Sequence, residues 1–128
     1  MKVVGIIPCR YQSSRFPGKP LALIGDKPMM WHTYQRALES NVLDQVYIAT
    51  DDDQIAEEAN NFSLNVIMTS SEHKTGTDRV AEVSKYVTSD YYINIQGDEP
   101  FIDPNSIQLL VEKIINCKDP AIQAVNAY

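Results

Sequence analysis

The chain has 128 residues, is 44% hydrophobic and 22% charged, and carries a formal net charge of −6; this bounds it to one globular domain or a piece of one. The acidic balance argues against nucleic acid, and no apolar run approaches the ~18 residues of a membrane span. Cys9 and Cys117 suggest neither a metal-ligand spacing nor a disulfide framework, the N-terminal run lacks a small-residue cleavage site, and a reducing, cytoplasmic compartment is the simpler reading.

The spacing predicts five short strands alternating with four helices. Val3–Pro8 is apolar on both faces, as a central parallel strand should be. The polar stretch from Arg10 to Pro20 is too long for a plain turn. Pro28 suits the first position of a helix running to about Ser40, with Met30, Tyr34, Ala37 and Leu38 at helical spacing. Gln45–Thr50 is the second strand, and Asp51-Asp52-Asp53-Gln54 opens a helix with acidic residues at its electropositive end. Ile55, Ala59 and Phe62 mark its buried stripe, and Asn65–Met68 is the third strand. After a loop over Thr69–Gly76, Thr77 or Asp78 caps a helix with Val80, Val83 and Val87 inward. Tyr91–Gln96 is the fourth strand. Asp103-Pro104 reads as an N-cap followed by proline, with Ile107, Leu110, Val111 and Ile114 as the core stripe, and Ala121–Ala127 is the fifth strand. Such alternation predicts an α/β fold: a mostly parallel sheet, helices on both faces and right-handed crossovers. The chain stops at Tyr128, where a parallel sheet would next expect a covering helix; the fold therefore reads as incomplete, with an edge-strand ending as the alternative.

In an open α/β sheet, ligands bind outside the carboxyl ends of the strands. The first strand runs into Cys9–Pro20, the second into Thr50-Asp51, the third into Thr69–Arg79, and the fourth into Gln96-Gly97-Asp98-Glu99-Pro100. All four polar clusters should therefore gather on one edge. Charge points the same way. Residues 1–25 hold four basic side chains (Lys2, Arg10, Arg15 and Lys19) and no acidic ones, whereas seven basic and 17 acidic residues remain beyond them, a net of −10. Arginine forks match phosphate oxygens and lysine adds a point charge, so the first loop reads as a polyphosphate site, with a purely structural loop as the alternative. It is neither a P-loop nor a dinucleotide fingerprint, because the glycine spacings are absent. Asp98 facing the basic loop suits a Mg²⁺ that bridges phosphate oxygens, and a turn cap is the other reading. Asp51 reads as a routine helix cap. His73 lacks a ligand partner, His32 is structural, Met29, Met30 and Trp31 belong to core or interface, and Cys9 is a small buried thiol.

The stretch Ile7-Pro8-Cys9-Arg10-Tyr11-Gln12-Ser13-Ser14-Arg15-Phe16-Pro17-Gly18-Lys19-Pro20-Leu21 resembles the opening motif of the sugar-acid cytidylyltransferases. With Met68-Thr69-Ser70, Thr75-Gly76-Thr77-Asp78-Arg79 and Gln96-Gly97-Asp98-Glu99-Pro100, it resembles the 3-deoxy-manno-octulosonate (Kdo) cytidylyltransferase branch, in order and over essentially the whole chain. The resemblance implies a Rossmann-like fold of the nucleotide-diphospho-sugar transferase type. It also implies transfer of CMP from CTP to the 3-deoxy sugar acid, with Mg²⁺, for lipopolysaccharide or capsule synthesis. By motif position, Arg10, Ser13 or Ser14, Arg15 and Lys19 would hold the triphosphate, with Lys19 near the leaving pyrophosphate. Backbone around Pro8–Arg10, with Ser70, Arg79 and Gln96, would frame the cytidine, and Asp98 would ligate Mg²⁺. Arg15, Lys19 and Asp98 would form the catalytic group, with no general base identified. Cys9 replaces the alanine usual in the family. Family members run to about double this length, so residues 1–128 correspond to the nucleotide-binding N-terminal part, and the absent half would carry most of the sugar site and much of a homodimer interface. The alternatives are a nucleotide-binding or regulatory module without turnover, and a cytidylyltransferase for a related sugar acid. A nicotinamide-dependent oxidoreductase lacks its glycine fingerprint, and a phospho-receiver leaves the basic loop unexplained.

Overall fold

The computed structural model describes residues 2–11, 17–70, 76–96, 101–116 and 124–127. The strands are β1 (Val3–Pro8), β2 (Leu23–Ile24), β3 (Lys27–Pro28), β4 (Gln45–Thr50), β5 (Val66–Met68), β6 (Tyr91–Ile95) and β7 (Ala124–Ala127). The helices are α1 (Met29–Glu39), α2 (Asp53–Asn61), α3 (Gly76–Val83) and α4 (Pro104–Asn116), with a 3₁₀ turn at Lys19–Leu21. Five strands form one parallel sheet in the order β5-β4-β1-β6-β7. The five predicted strands are these five, in chain order.

Alternation along β1 divides the core. Val3 and Ile7 belong to a cluster with Met30, Tyr34 and Ala37 of α1, Ile55 and Ala59 of α2, and Ile107, Val111 and Ile114 of α4. Val4 and Ile6 face the other way, toward Val80 and Val83 of α3. Helices thus cover both faces, as the β-α alternation requires. Gly5 is set by a close approach: a β-carbon there would meet Leu43 Cδ1 at 2.7 Å and Ile95 Cδ1 at 3.3 Å.

The edge of the sheet where β1 begins is tied by backbone and carboxylates. The Val3 N–H donates to Asp44 Oδ2 at 2.7 Å, and the Lys2 N–H to Asp90 Oδ2 at 2.6 Å. The Lys2 carbonyl accepts from the Asp90 and Tyr91 N–H groups, both at 3.1 Å. On the α1 side, the Tyr34 hydroxyl donates to the Val46 carbonyl at 3.2 Å. The Gln108 amide of α4 donates to the Ser40 carbonyl at 2.7 Å, which joins α4 to the end of α1.

Several boundaries differ from expectation, each for a local reason. Pro28 is not the first helical residue; it is extended (φ −67°, ψ 154°) and closes a β2–β3 ribbon. That ribbon turns at Gly25-Asp26, where Gly25 takes φ 69°, which only glycine adopts freely. Asp52, not Asp51, caps α2, its Oδ2 accepting from the Ile55 N–H at 2.9 Å. Thr77 and Asp78 lie inside α3, which starts at Gly76, so neither is its cap. Val87 lies beyond the end of α3 but still packs on the core. Asn65 and Gln96 lie outside the strands predicted to contain them, and residues 121–123 of the predicted fifth strand lie outside the described residues. Among the described residues no helix is long and apolar enough to cross a membrane.

Two substitutions in β1 should separate packing from crowding. Ile7, fully buried, should cost about 3 kcal/mol on replacement by alanine, through lost transfer energy and the cavity left behind. Gly5→Ala should cost less, about 1 kcal/mol, because the Leu43 methyl it meets is the tip of a half-buried side chain able to swing aside. Urea unfolding measured side by side checks the order; equal losses would place Gly5 in a rigid contact.

Candidate active site

Parallel pairing brings the carboxyl ends of β1, β4, β5 and β6 to one edge. The ladder is in register to the ends of the strands: Pro8 is paired with Ala49, Thr50 with Met68, and Ile6 with Asn94. Gln96, two residues past Asn94, comes level with Pro8. The strand order reverses between β1 and β6, because the chain moves from β1 outward through β4 to β5 and then returns to β6 on the other side. A crevice at such a switch point is where open α/β sheets bind ligands. Pro8 ends β1 and Gln96 follows β6, the two strands on either side of that point, and Arg10 comes two residues after Pro8.

Pro8 and Gln96 are half-buried and Arg10 is exposed. The Cys9 N–H extends the β1–β4 ladder by donating to the Ala49 carbonyl at 2.8 Å; Cys9 itself is buried and small, as expected. The loop after β1 is pinched at its neck, where the Gly18 N–H donates to the Tyr11 carbonyl at 2.6 Å. Gly18 takes φ 72°, and a β-carbon there would lie 3.1 Å from the Tyr11 ring. Glycine is therefore required on both conformational and steric grounds. Lys19 follows at once, half-buried, at the start of the 3₁₀ turn. Ser13, Ser14 and Arg15, which belong to this loop, lie outside the described residues, as do His73 and Asp98.

A second group gathers where β4 and β5 end. Arg79, on α3, is 1% exposed. One of its Nη1 hydrogen bonds goes to Thr69 Oγ1 and another to the Ser70 carbonyl at 3.4 Å. Asp51 Oδ1 stands 3.8 Å from the same nitrogen. Arg79 Nε, also buried, has no hydrogen-bond partner among the described residues. The Ser70 N–H donates to Glu82 Oε1 at 2.9 Å. Both backbone polar groups of Ser70 are thus held by side chains of α3. Asp51 and Glu82 are the residues that sequence reasoning missed here. Asp51 passed for a helix cap because three aspartates open α2; Glu82 carried no signal beyond standing three residues after Arg79, one helical turn along.

His32 is structural, as expected. Its Nε2 lies 2.8 Å from the Ile24 carbonyl, which can only accept, so that nitrogen carries the proton. A cleft of about 410 Å³ opens elsewhere, between Tyr11, Pro17, Gly18, Leu21 and Ala22 on one side and Gln54, Glu57 and Glu58 of α2 on the other. Two glutamates make it a poor seat for a polyphosphate, and Arg10, Lys19, Ser70 and Gln96 do not line it. Among the described residues no group of three or more histidine, cysteine or carboxylate side chains could hold a metal ion.

The model of the cytidylyltransferase family matches residues 4–126. A 3-deoxy-manno-octulosonate cytidylyltransferase of Lawsonia intracellularis is 51% identical over 115 residues, covering 88% of this chain and 45% of its own length. The enzyme of the same name from Escherichia coli is 46% identical over 121 residues, covering 94% of this chain and 48% of its own. The chain therefore spans about half the length of the curated relatives it matches. Among solved structures, a CMP:2-keto-3-deoxy-manno-octonic acid synthetase complexed with CTP superposes with a TM-score of 0.89 at 45% identity, covering 94% of this chain and 49% of that one. With the strand order, the motifs and these matches in agreement, the chain belongs to the cytidylyltransferase family.

Proposed function

We propose that residues 1–128 form the nucleotide-binding part of a cytoplasmic enzyme that makes CMP-Kdo and pyrophosphate from CTP and 3-deoxy-manno-octulosonate, for lipopolysaccharide or capsule synthesis. The observation that carries this reading is that β1, which leads into the basic loop, and β6, which leads into Gln96, are adjacent parallel strands at the point where the strand order reverses. The CTP held by a solved relative of the same fold supports it. The rest of the sugar site, and the homodimer, belong to the half that the relatives have in addition.

In this reading Arg10, Ser13, Ser14, Arg15 and Lys19 hold the triphosphate, and backbone at Pro8–Arg10 with Ser70 and Gln96 frames the cytidine. Arg79, being buried, contributes through Thr69 and Ser70 rather than by direct reach. The anomeric hydroxyl oxygen of the sugar acid attacks the α-phosphorus, the bond from that phosphorus to the β-phosphate oxygen breaks, pyrophosphate leaves, and the hydroxyl proton passes to water. Orientation and charge neutralisation do most of the work, so the arginine and lysine side chains of the segment after β1 are suitable equipment. The donor chemistry fits Mg²⁺, a hard cation that takes one or two carboxylates and completes its shell with phosphate oxygens and water. Asp98, two residues past Gln96, is the carboxylate for it. The bound ion would supply charge neutralisation of the phosphates and a lower cost of forming the sugar alkoxide.

Calorimetric titration of this chain with CTP, UTP and ATP, with and without Mg²⁺, tests the reading. Selective CTP binding is expected, and equal binding of all three would overturn the cytidine assignment. Binding of CTP without pyrophosphate release on adding Kdo would mark this half as a nucleotide-binding module that needs its other half for turnover. Lys19→Ala should weaken CTP about tenfold or more and CMP much less, in keeping with a charge-assisted bond of about 1.5–3 kcal/mol to the outer phosphates; equal losses would move Lys19 away from them. Asp98→Asn should remove the enhancement of CTP binding by Mg²⁺, and its survival intact would sink the metal assignment.

A further inference from the structure

The group around Arg79 has a geometry that the loop motifs do not explain. Ser70 follows Thr69 just past the end of β5, where the Thr69 N–H still donates to the Thr50 carbonyl at 2.8 Å. Two side chains one turn apart on α3 bind the backbone of Ser70. Glu82 accepts from the Ser70 N–H, and Arg79 donates to the Ser70 carbonyl and to the Thr69 hydroxyl. Asp51, from the end of β4 and three-quarters buried, supplies the counter-charge. It is free for that role because Asp52 takes over the capping of α2, the Asp52 N–H donating to Thr50 Oγ1 at 3.2 Å and the Asp52 carboxylate accepting from the Ile55 N–H at 2.9 Å. α3 thus holds both backbone polar groups of the residue that follows β5, and the end of β4 neutralises the arginine that does so.

We propose that Asp51, Arg79 and Glu82 form a latch that fixes Ser70 for recognition of the cytosine end of the nucleotide, which makes Asp51 and Glu82 positioning residues for nucleotide selectivity. The proposal rests on the reading that Ser70 frames the cytidine. A side chain that discriminates bases must be held still, because a donor or acceptor that swings accepts a wrong partner with little loss. Charged side chains bonded to both the N–H and the carbonyl of one residue are a strong way to hold it. Arg79 is too buried to reach a phosphate itself, so its charge works through the backbone it binds.

Asp51→Asn and Glu82→Gln test the latch, because each removes a charge while keeping the shape of the side chain. Both are more exposed than Arg79, whose own replacement risks the fold. Two readouts are taken on the 128-residue chain. Amide hydrogen exchange at Ser70, without nucleotide, reads the latch directly; faster exchange in both variants is expected, and unchanged exchange overturns the latch. Calorimetry with CTP, UTP and inorganic tripolyphosphate reads its role. CTP binding should fall about tenfold, a change of about 1.4 kcal/mol, and the preference for CTP over UTP should fall with it, while tripolyphosphate binding stays as in the parent chain. A parallel loss of tripolyphosphate would show a merely structural role, and unchanged CTP selectivity despite faster exchange would show that the latch does not position the base; either overturns the proposal. If the parent chain shows no preference for CTP, the cytidylyltransferase reading fails with the selectivity role, while the exchange result still decides whether the latch exists. Should Asp51→Asn fail to fold, Glu82→Gln alone decides by the same criteria.

Discussion

The whole arrangement depends on the burial of β1 between two parallel partners. Val3, Val4, Ile6 and Ile7 are buried, and the strand pairs with β4 on one side and β6 on the other. A strand covered on both faces cannot carry polar side chains until it leaves the sheet. The first polar residues after β1 therefore emerge at its carboxyl end, and the parallel partners deliver theirs to the same edge. Antiparallel pairing with either neighbour would send half of these groups to the far side. The opposite edge is occupied by bonds from Asp44 and Asp90 that hold the start of β1, so the two edges divide anchoring from chemistry.

The buried arginine is the second constraint. Removing a guanidinium from water carries an effective penalty of several kcal/mol. Here it is offset by the Thr69 hydroxyl, the Ser70 carbonyl and the Asp51 carboxylate. Such a group is a weak source of stability, since an apolar side chain of the same volume could do as well. What it provides instead is a defined position for the end of β5, which packing of apolar groups alone specifies less sharply. α3 is the one described helix on its face of the sheet, and Arg79 and Glu82 are the polar means by which it controls the edge that its apolar residues only cover.

The loop after β1 shows the same economy. A bond from Gly18 to Tyr11 and the φ of 72° at Gly18 close its neck, and Pro20 is buried in the 3₁₀ turn that follows. Lys19 is thereby set directly after a fixed point. A flexible basic loop would lose conformational entropy each time it closed on an anion; a pinched one has lost part of it on folding. The cleft beside α2 illustrates the converse, since volume without complementary charge does not make a phosphate site.

Sequence alone determined the five main strands, most of the buried positions of the four helices (Leu38, exposed, is an exception) and the common edge to which the carboxyl ends of β1, β4, β5 and β6 point, because these follow from apolar periodicity and from the rule that parallel strands point one way. The motifs also determined the family, since their order and spacing are local properties of the chain. Only the tertiary structure decided which of three consecutive aspartates caps α2 and which turns to Arg79, for all three have the same local preference and differ only in what lies opposite. It alone decided that Gly25 turns a two-stranded ribbon that keeps Pro28 out of α1, and that Arg79 is buried rather than presented to solvent. A charge on a helix is solvated unless other elements close over it, and whether β4 and β5 bring Asp51 and Thr69 to meet it is a fact of assembly, not of spacing.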